Sequence, residues 1–216
     1  MFANVRRQTP KRLLVMVLTA LAALAVCGAP AAQAAPPRPP GSHGLPPIGA
    51  EIPMSMLAMN VPLQIRTALV TVDFRGGIKV RVDVNPDDPY NSVRLRVVGF
   101  KMSAELPQRA GGGSITLEQN DVDADPKSVL RLTQHFPPKY EQLMVLSFTM
   151  VIEQPERAEP LILTTKDPAK LIGQLTQFPP KGDLYRLQNP VDLIDLENPD
   201  TTVATIHKFP VKVGGL

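Results

Sequence analysis

The sequence predicts an all-β fold, an antiparallel β-sandwich of Ig-like or jelly-roll-like kind with at most one short helix, placed behind an N-terminal signal peptide. Three observations lead there. Apolar and polar residues alternate with period two along much of the chain after residue 53, as they do in strands with one buried face. The alternating segments are short and separated by Pro, Gly and Asp turns, the spacing of an antiparallel sandwich. Helical spacing is confined to one stretch near residue 170.

The first segment is an address. Residues 1–12 carry Arg6, Arg7, Lys11 and Arg12 and no acid, and Leu13 to Val26 is a run of fourteen apolar and small residues. Ala32-Gln33-Ala34 supplies a small-x-small cleavage site, so residues 1–34 read as a secretory signal peptide cut after Ala34. The apolar run is shorter than the roughly 20 residues of a bilayer span. Gln8-Thr9-Pro10 follows Arg6-Arg7 in place of the hydrophobic residues of a twin-arginine signal, which favours the general secretory route. Membrane attachment would have to go through lipidation at Cys27. A lipobox needs a small residue before the cysteine, and Val26 is branched, so Cys27 reads as part of the apolar run.

Removing this segment changes the charge and redox character. The whole chain has 23 Lys+Arg, 20 Asp+Glu, one Cys and a net charge of +3. Residues 1–34 take four bases and the cysteine with them, so 19 bases then face 20 acids, for a net charge of −1. That removes the argument for nucleic acid, and it leaves a thiol-free chain suited to the secreted or cell-envelope space but unable to form a disulfide.

Residues 35–50 hold six Pro in sixteen and read as a Pro-rich disordered spacer ahead of a single domain spanning 51–216. Val70, Val72 and Phe74 form one apolar face, and Ile78, Val80 and Val82 another. A three-residue loop at Arg75-Gly76-Gly77 would bring these faces together, so the register predicts a hairpin there. After the turn residues Asn85 to Pro89, strands are expected over 92–104 (bent at Gly99), 114–119, 128–134, 143–153, 160–165 and 202–213. Asp167 as N-cap, Pro168 at the first position, and Leu171, Ile172 and Leu175 on one face predict the one short helix. An internal echo, Leu132-Thr133-Gln134-His135-Phe136-Pro137-Pro138-Lys139 against Leu175-Thr176-Gln177-Phe178-Pro179-Pro180-Lys181, suggests equivalent strand ends, with Phe packed and Pro ending the ladder.

The chemistry available is narrow. There is no G-x-S-x-G or S-x-x-K sequence. His43 lies in the spacer, and His207, sharing a face with Val203 and Phe209, reads as a packed side chain. Asp121, Asp123 and Asp125 alternate in one loop and make a candidate Ca²⁺ or carboxylate site. The EF-hand pattern fails there, with Pro126 and Leu132 where Gly and Glu belong. Met54, Met56 and Met59 are similar to the Met motifs of exported copper-handling proteins, a soft donor set for Cu(I), although Met is also a core filler. Lys79, Arg81, Arg94 and Arg96 suggest a basic stripe on the outer face, and Met144, Phe148 and Met150 suggest a candidate apolar pocket.

These features predict a secreted, non-catalytic binding or interaction module of the cell envelope or extracellular space, with an apolar ligand pocket and no obligate cofactor. A carboxylate- or Ca²⁺-dependent hydrolase centred on Asp121, Asp123 and Asp125, and a Cu(I)-binding protein using Met54, Met56 and Met59, are the alternatives. The absence of Trp and the presence of only three Tyr weigh against a sugar-cleaving cleft.

Overall fold

The computed structural model describes residues 44–120, 124 and 127–215, all within one compact unit, Arg38–Leu216. The signal peptide, Cys27, His43 and the three candidate acids Asp121, Asp123 and Asp125 lie outside the described residues.

The chain forms thirteen strands in one sheet: β1 (Glu51–Ile65), β2 (Ala68–Val84), β3 (Ser92–Glu105), β4 (Ser114–Gln119), β5 (Val129–Gln134), β6 (Lys139–Leu146), β7 (Phe148–Glu153), β8 (Leu161–Thr165), β9 (Ala169–Leu175), β10 (Lys181–Leu187), β11 (Val191–Asp195), β12 (Asn198–Ile206) and β13 (Val211–Gly215). Their pairings reduce to a simpler plan. β4 and β5, β6 and β7, β8 and β9, β10 and β11, and β12 and β13 are each two halves of one long run. Together with β1, β2 and β3 they make eight runs in sequence order. Each run pairs antiparallel with the next, and the eighth returns to the first through Leu63↔Ile206 and Ala58↔Val211. The result is a closed up-and-down barrel, which leaves the ladder without a free edge. One half contains β4, β7, β8, β11 and β12, the other β5, β6, β9, β10 and β13, while β1, β2 and β3 run through both.

The nearly all-antiparallel β architecture is the one the alternation predicts. Its connectivity is a meander, whereas Ig-like and jelly-roll sandwiches depend on Greek-key crossovers. The inward faces carry the predicted apolar sets: Val70, Val72, Phe74, Ile78, Val80 and Val82 are all buried, as are Met144, Leu146, Phe148, Met150 and Ile152. Phe74 packs against Phe209 with ring centroids 5.8 Å apart. The ordered domain also takes in residues 44–50 of the expected spacer. There Leu45 is buried, Gly44 O accepts from the Tyr140 hydroxyl at 2.6 Å, and Gly49 N donates to Val82 O at 2.7 Å.

Several local expectations are corrected. Gly76-Gly77 is no turn: β2 continues straight through it, and the hairpin closes instead at residues 66–67. Phe74 and Ile78 share a parity, so an unbroken strand buries the same face as the three-residue loop would. The glycines serve close approach. A Cβ on Gly76 would lie 2.0 Å from the Lys101 carbonyl oxygen, and one on Gly77 would lie 3.0 Å from that of Met54. The helix expected after Asp167 is strand β9, with Ala169, Leu171 and Leu175 buried and paired to β6. The only helical turn among the described residues is a 3₁₀ turn at Gln108–Ala110. The strand expected over 143–153 is broken at Ser147, and β10 and β11 lie where none was expected.

The echoed segments form the β5–β6 and β9–β10 turns, and both Phe-Pro bonds, Phe136–Pro137 and Phe178–Pro179, are cis. Their Phe residues differ: Phe178 packs on the core, while Phe136 is 91% exposed. His207 is exposed, in the break between β12 and β13, and its Nε2 lies 3.0 Å from Gln64 Oε1.

One polar pair sits inside the barrel. Tyr185 is fully buried, faces Gly173 in register, and donates to Gln142 Oε1 at 2.5 Å. A Cβ on Gly173 would lie 2.6 Å from the tyrosine ring, so glycine is what makes room for it. Burial, and then the nearby Asp183 carboxylate, push the Tyr185 hydroxyl far above its usual range.

Two outcomes follow. Gly76→Ala should lower the unfolding free energy by about 3 kcal/mol, because the clash is with backbone. Gly99→Ala, whose Cβ would meet nothing closer than 3.9 Å, should change it by no more than about 0.5 kcal/mol. Urea unfolding of both variants checks the contrast. Because the folded-state pKa of Tyr185 is raised, stability holds below the ordinary tyrosine pKa of about 10 and falls as pH rises beyond it. Unfolding titrations from pH 8 to 11 should show that fall in the wild type and a shallower one in Tyr185→Phe.

A candidate binding groove in the barrel wall

The fourth run is the one most deeply interrupted. β3 pairs with β4 as far as Lys101↔Glu118 and with β5 from Arg94↔Val129. On the other side, β7 holds β4 at Gln119↔Phe148 and β6 holds β5 at Val129↔Leu143. Between these ladders no strand pairing is found among the described residues, and a groove of about 330 Å³ lies there. Arg94, Leu95, Arg96 and Val97 form one bank and Val145, Leu146 and Ser147 the other, with Asp83 behind the arginines and Gln119, Asn120, Lys127 and Ser128 at the ends.

Side chains substitute for the missing ladder. Ser128 Oγ accepts from Val145 N at 2.8 Å, and Ser128 O accepts from Leu95 N at 2.9 Å. Gln119 Nε2 donates to Val97 O at 3.1 Å. Asn120 donates from its backbone to Ser147 O at 3.2 Å and from Nδ2 to Thr164 Oγ1 at 3.1 Å. Its Oδ1 is buried and has no partner. A buried acceptor left unmade costs about 1–3 kcal/mol.

Charge in the groove is organised around Asp83. Its carboxylate lies 3.2 Å from Arg96 Nε and 3.6 Å from Arg81 Nε, and Arg94 reaches Asp87 at 3.2 Å. Lys79, the remaining member of the predicted basic stripe, pairs with Glu51 at 3.3 Å. The stripe therefore exists on the outer face but is laced with acids, and it enters the groove only through Arg94 and Arg96.

The predicted site residues separate. Met144, Phe148 and Met150 all face inward, but only Phe148 lines a cavity. That cavity is an apolar gap of about 10 Å³ in the middle of the barrel, bounded by residues that include Phe100, Leu146, Phe148, Leu171, Leu187 and Phe209. With no polar lining it has nothing to hold a water. Met54 and Met56 are buried in the core, while Met59 is 50% exposed. A bulge between Ala58 and Val61, with Asn60 at φ 54°, turns Met59 outward, so the three sulfurs do not converge. Among the described residues no group of three or more His, Cys, Asp or Glu side chains stands together as a metal site would require.

Sequence reasoning reached Arg94 and Arg96 but missed Asn120, Ser128 and Ser147. The signal available was Ser147, the one small polar residue in an otherwise apolar 143–148 segment.

Fold and groove together define a closed antiparallel β-barrel with an opening in its side. No family model matches the chain, and no curated protein matches it. Among solved structures it is similar to DynF from the dynemicin biosynthesis pathway of Micromonospora chersina, with a TM-score of 0.60 and 18% identity over 85% of this chain and 93% of that one. Likeness at that identity concerns the fold.

The Arg96–Asp83 pair is 60% and 36% exposed, so it contributes little to stability. Arg96→Gln should shift the unfolding free energy by less than about 1 kcal/mol in a thermal or urea melt. The groove can therefore be edited without unfolding the barrel.

Proposed function

We propose that this protein is a non-catalytic binding module, exported by its first 34 residues to the extracellular space or cell envelope, that takes a small ligand in the lateral groove. The observation that carries the reading is the orphaned Asn120 Oδ1 beside a groove of about 330 Å³. Small-molecule sites run from roughly 300 to 1,000 Å³ and combine apolar walls with a few convergent polar groups. Leu95, Val97, Val145 and Leu146 supply the former; Arg94, Arg96, Asn120 and Ser147 supply the latter. Among the described residues the lining holds no Cys or His.

Native mass spectrometry of the secreted protein, purified without chelator, tests this. A retained small molecule is expected in the wild type and should be lost in Gln119→Trp, which fills the groove, with the melting temperature lowered only by the lost bond to Val97 O. A bare-chain mass throughout would overturn the reading. A shift on adding Ca²⁺ alone would move the site to Asp121, Asp123 and Asp125.

A further inference from the structure

Leu146 lines both the outer groove and the inner apolar gap, and is 3% exposed. It is the last residue of β6, next to the break at Ser147, and on the side of the fourth run no described residue pairs with it. Leu146 is thus common to the wall of a polar vestibule carrying Arg94 and Arg96 and to that of the apolar gap. Resting on the binding-module reading, we infer that the ligand is a single-chain anionic amphiphile: its head sits on Arg94 and Arg96, and its tail passes Leu146 into the barrel.

The interior is built to yield. At about 10 Å³ the gap admits no chain as it stands. However, Met54, Met56, Met102, Met144 and Met150 are all 2% exposed or less. Methionine is unbranched, with three rotatable bonds, and repacks around irregular guests at less cost than leucine or isoleucine. Met144, Leu146, Phe148 and Met150 share one inward face, so a methionine stands two residues from Leu146 and another two residues from Phe148, both behind the gap's own lining. Polar groups guide the other end. Among the described residues the groove lining carries Arg94 and Arg96 together with the carboxylate of Asp83. Arg94 and Arg96 hold exposed acids, and such pairs exchange readily for a ligand anion. A fatty carboxylate and an alkyl phosphate share the required chemistry, and the test separates them.

The test is calorimetric titration of the purified full-length secreted protein with dodecanoate, dodecyl phosphate, dodecan-1-ol and butanoate below their aggregation thresholds, alongside NMR of ¹³C-methyl methionine. Dodecanoate should bind, dodecyl phosphate at least as tightly, and butanoate roughly 100-fold more weakly because its tail is too short to bury. Dodecanol should bind about 10-fold more weakly than dodecanoate, and the double variant Arg94→Gln/Arg96→Gln should remove that advantage. The methyl signals of Met144 and Met150 should shift with dodecanoate and stay still with butanoate. Leu146→Trp should weaken every long-chain ligand; the methionine shifts, read in the wild type, stand independently of how that variant folds. Dodecanoate binding no tighter than butanoate, or unmoved methionine signals, would overturn the inference while the groove itself remained a site. If none of the four probes binds, the amphiphile is wrong, and the native mass spectrum still decides whether the groove holds another ligand.

Discussion

Closure of the first run against the last is the constraint on which everything else depends. β1 receives β12 at Leu63–Ile65 and β13 at Met54–Ala58, and it pairs with β2 along its other side. Without that seam, β1 and the β12–β13 run would present long rows of unpaired backbone to water or to other chains. With it, every run has two neighbours, and the inward pleat of each must be apolar because it faces an enclosed volume. Eight strands enclose an interior that side chains just fill. That accounts for a core of Val, Leu, Met and Phe from all eight runs, and for the exclusion of bulky side chains where Gly76 and Gly173 stand.

Runs this long are not continuous, and their interruptions explain the site. The last five runs break near the middle, and β1 and β3 bulge, at Ala58/Val61 and beside Gly99. Where the break is one residue, as at Ser147, neighbouring side chains cover it: Ser147 Oγ lies 3.1 Å from Thr165 Oγ1, and Phe148 N donates to that same oxygen at 3.4 Å. In the fourth run the described strands end at Gln119 and resume at Val129. A groove is the geometric consequence. Its polarity follows from the same cause, since backbone groups released from the ladder need Asn120, Ser128 and Gln119 to replace their lost partners.

What the sequence revealed was the side-chain parity; what it concealed was the pairing. Alternation correctly marked the inward sets of β2, β3, β6 and β7, because burial on one face leaves that trace whatever the neighbours are. It could not distinguish a strand passing through Gly76-Gly77 from a hairpin turning there, since Phe74 and Ile78 fall on the same side in both. Residues 169–175 were equally ambiguous. Leu171, Ile172 and Leu175 fit a helical stripe, while Ala169, Leu171, Gly173 and Leu175 fit a strand, and pairing with β6 and β10 decided for the strand. The arginines of the groove were visible as a stripe. That the stripe borders a groove was not, because the groove depends on where the ladders on either side of it end.

The two orphaned polar atoms separate architecture from site. Gln142 Nε2 is buried without a partner, yet Gln142 has structural work to do, since its Oε1 accepts the bond that anchors Tyr185 inside the barrel. Its unused amide is the cost of placing a hydrogen-bonding residue among hydrocarbons. Asn120 differs in place and in what surrounds it. Its two donors tie the end of β4 to Ser147 and to Thr164 of β8, and the residue itself lines the groove. An orphan sealed in a core stays unsatisfied in every state of the protein. An acceptor within a groove wall gains a partner when the wall shifts to admit a ligand, and the free energy recovered then counts toward binding. Position, more than residue type, is what makes Asn120 part of a site and Gln142 part of the scaffold.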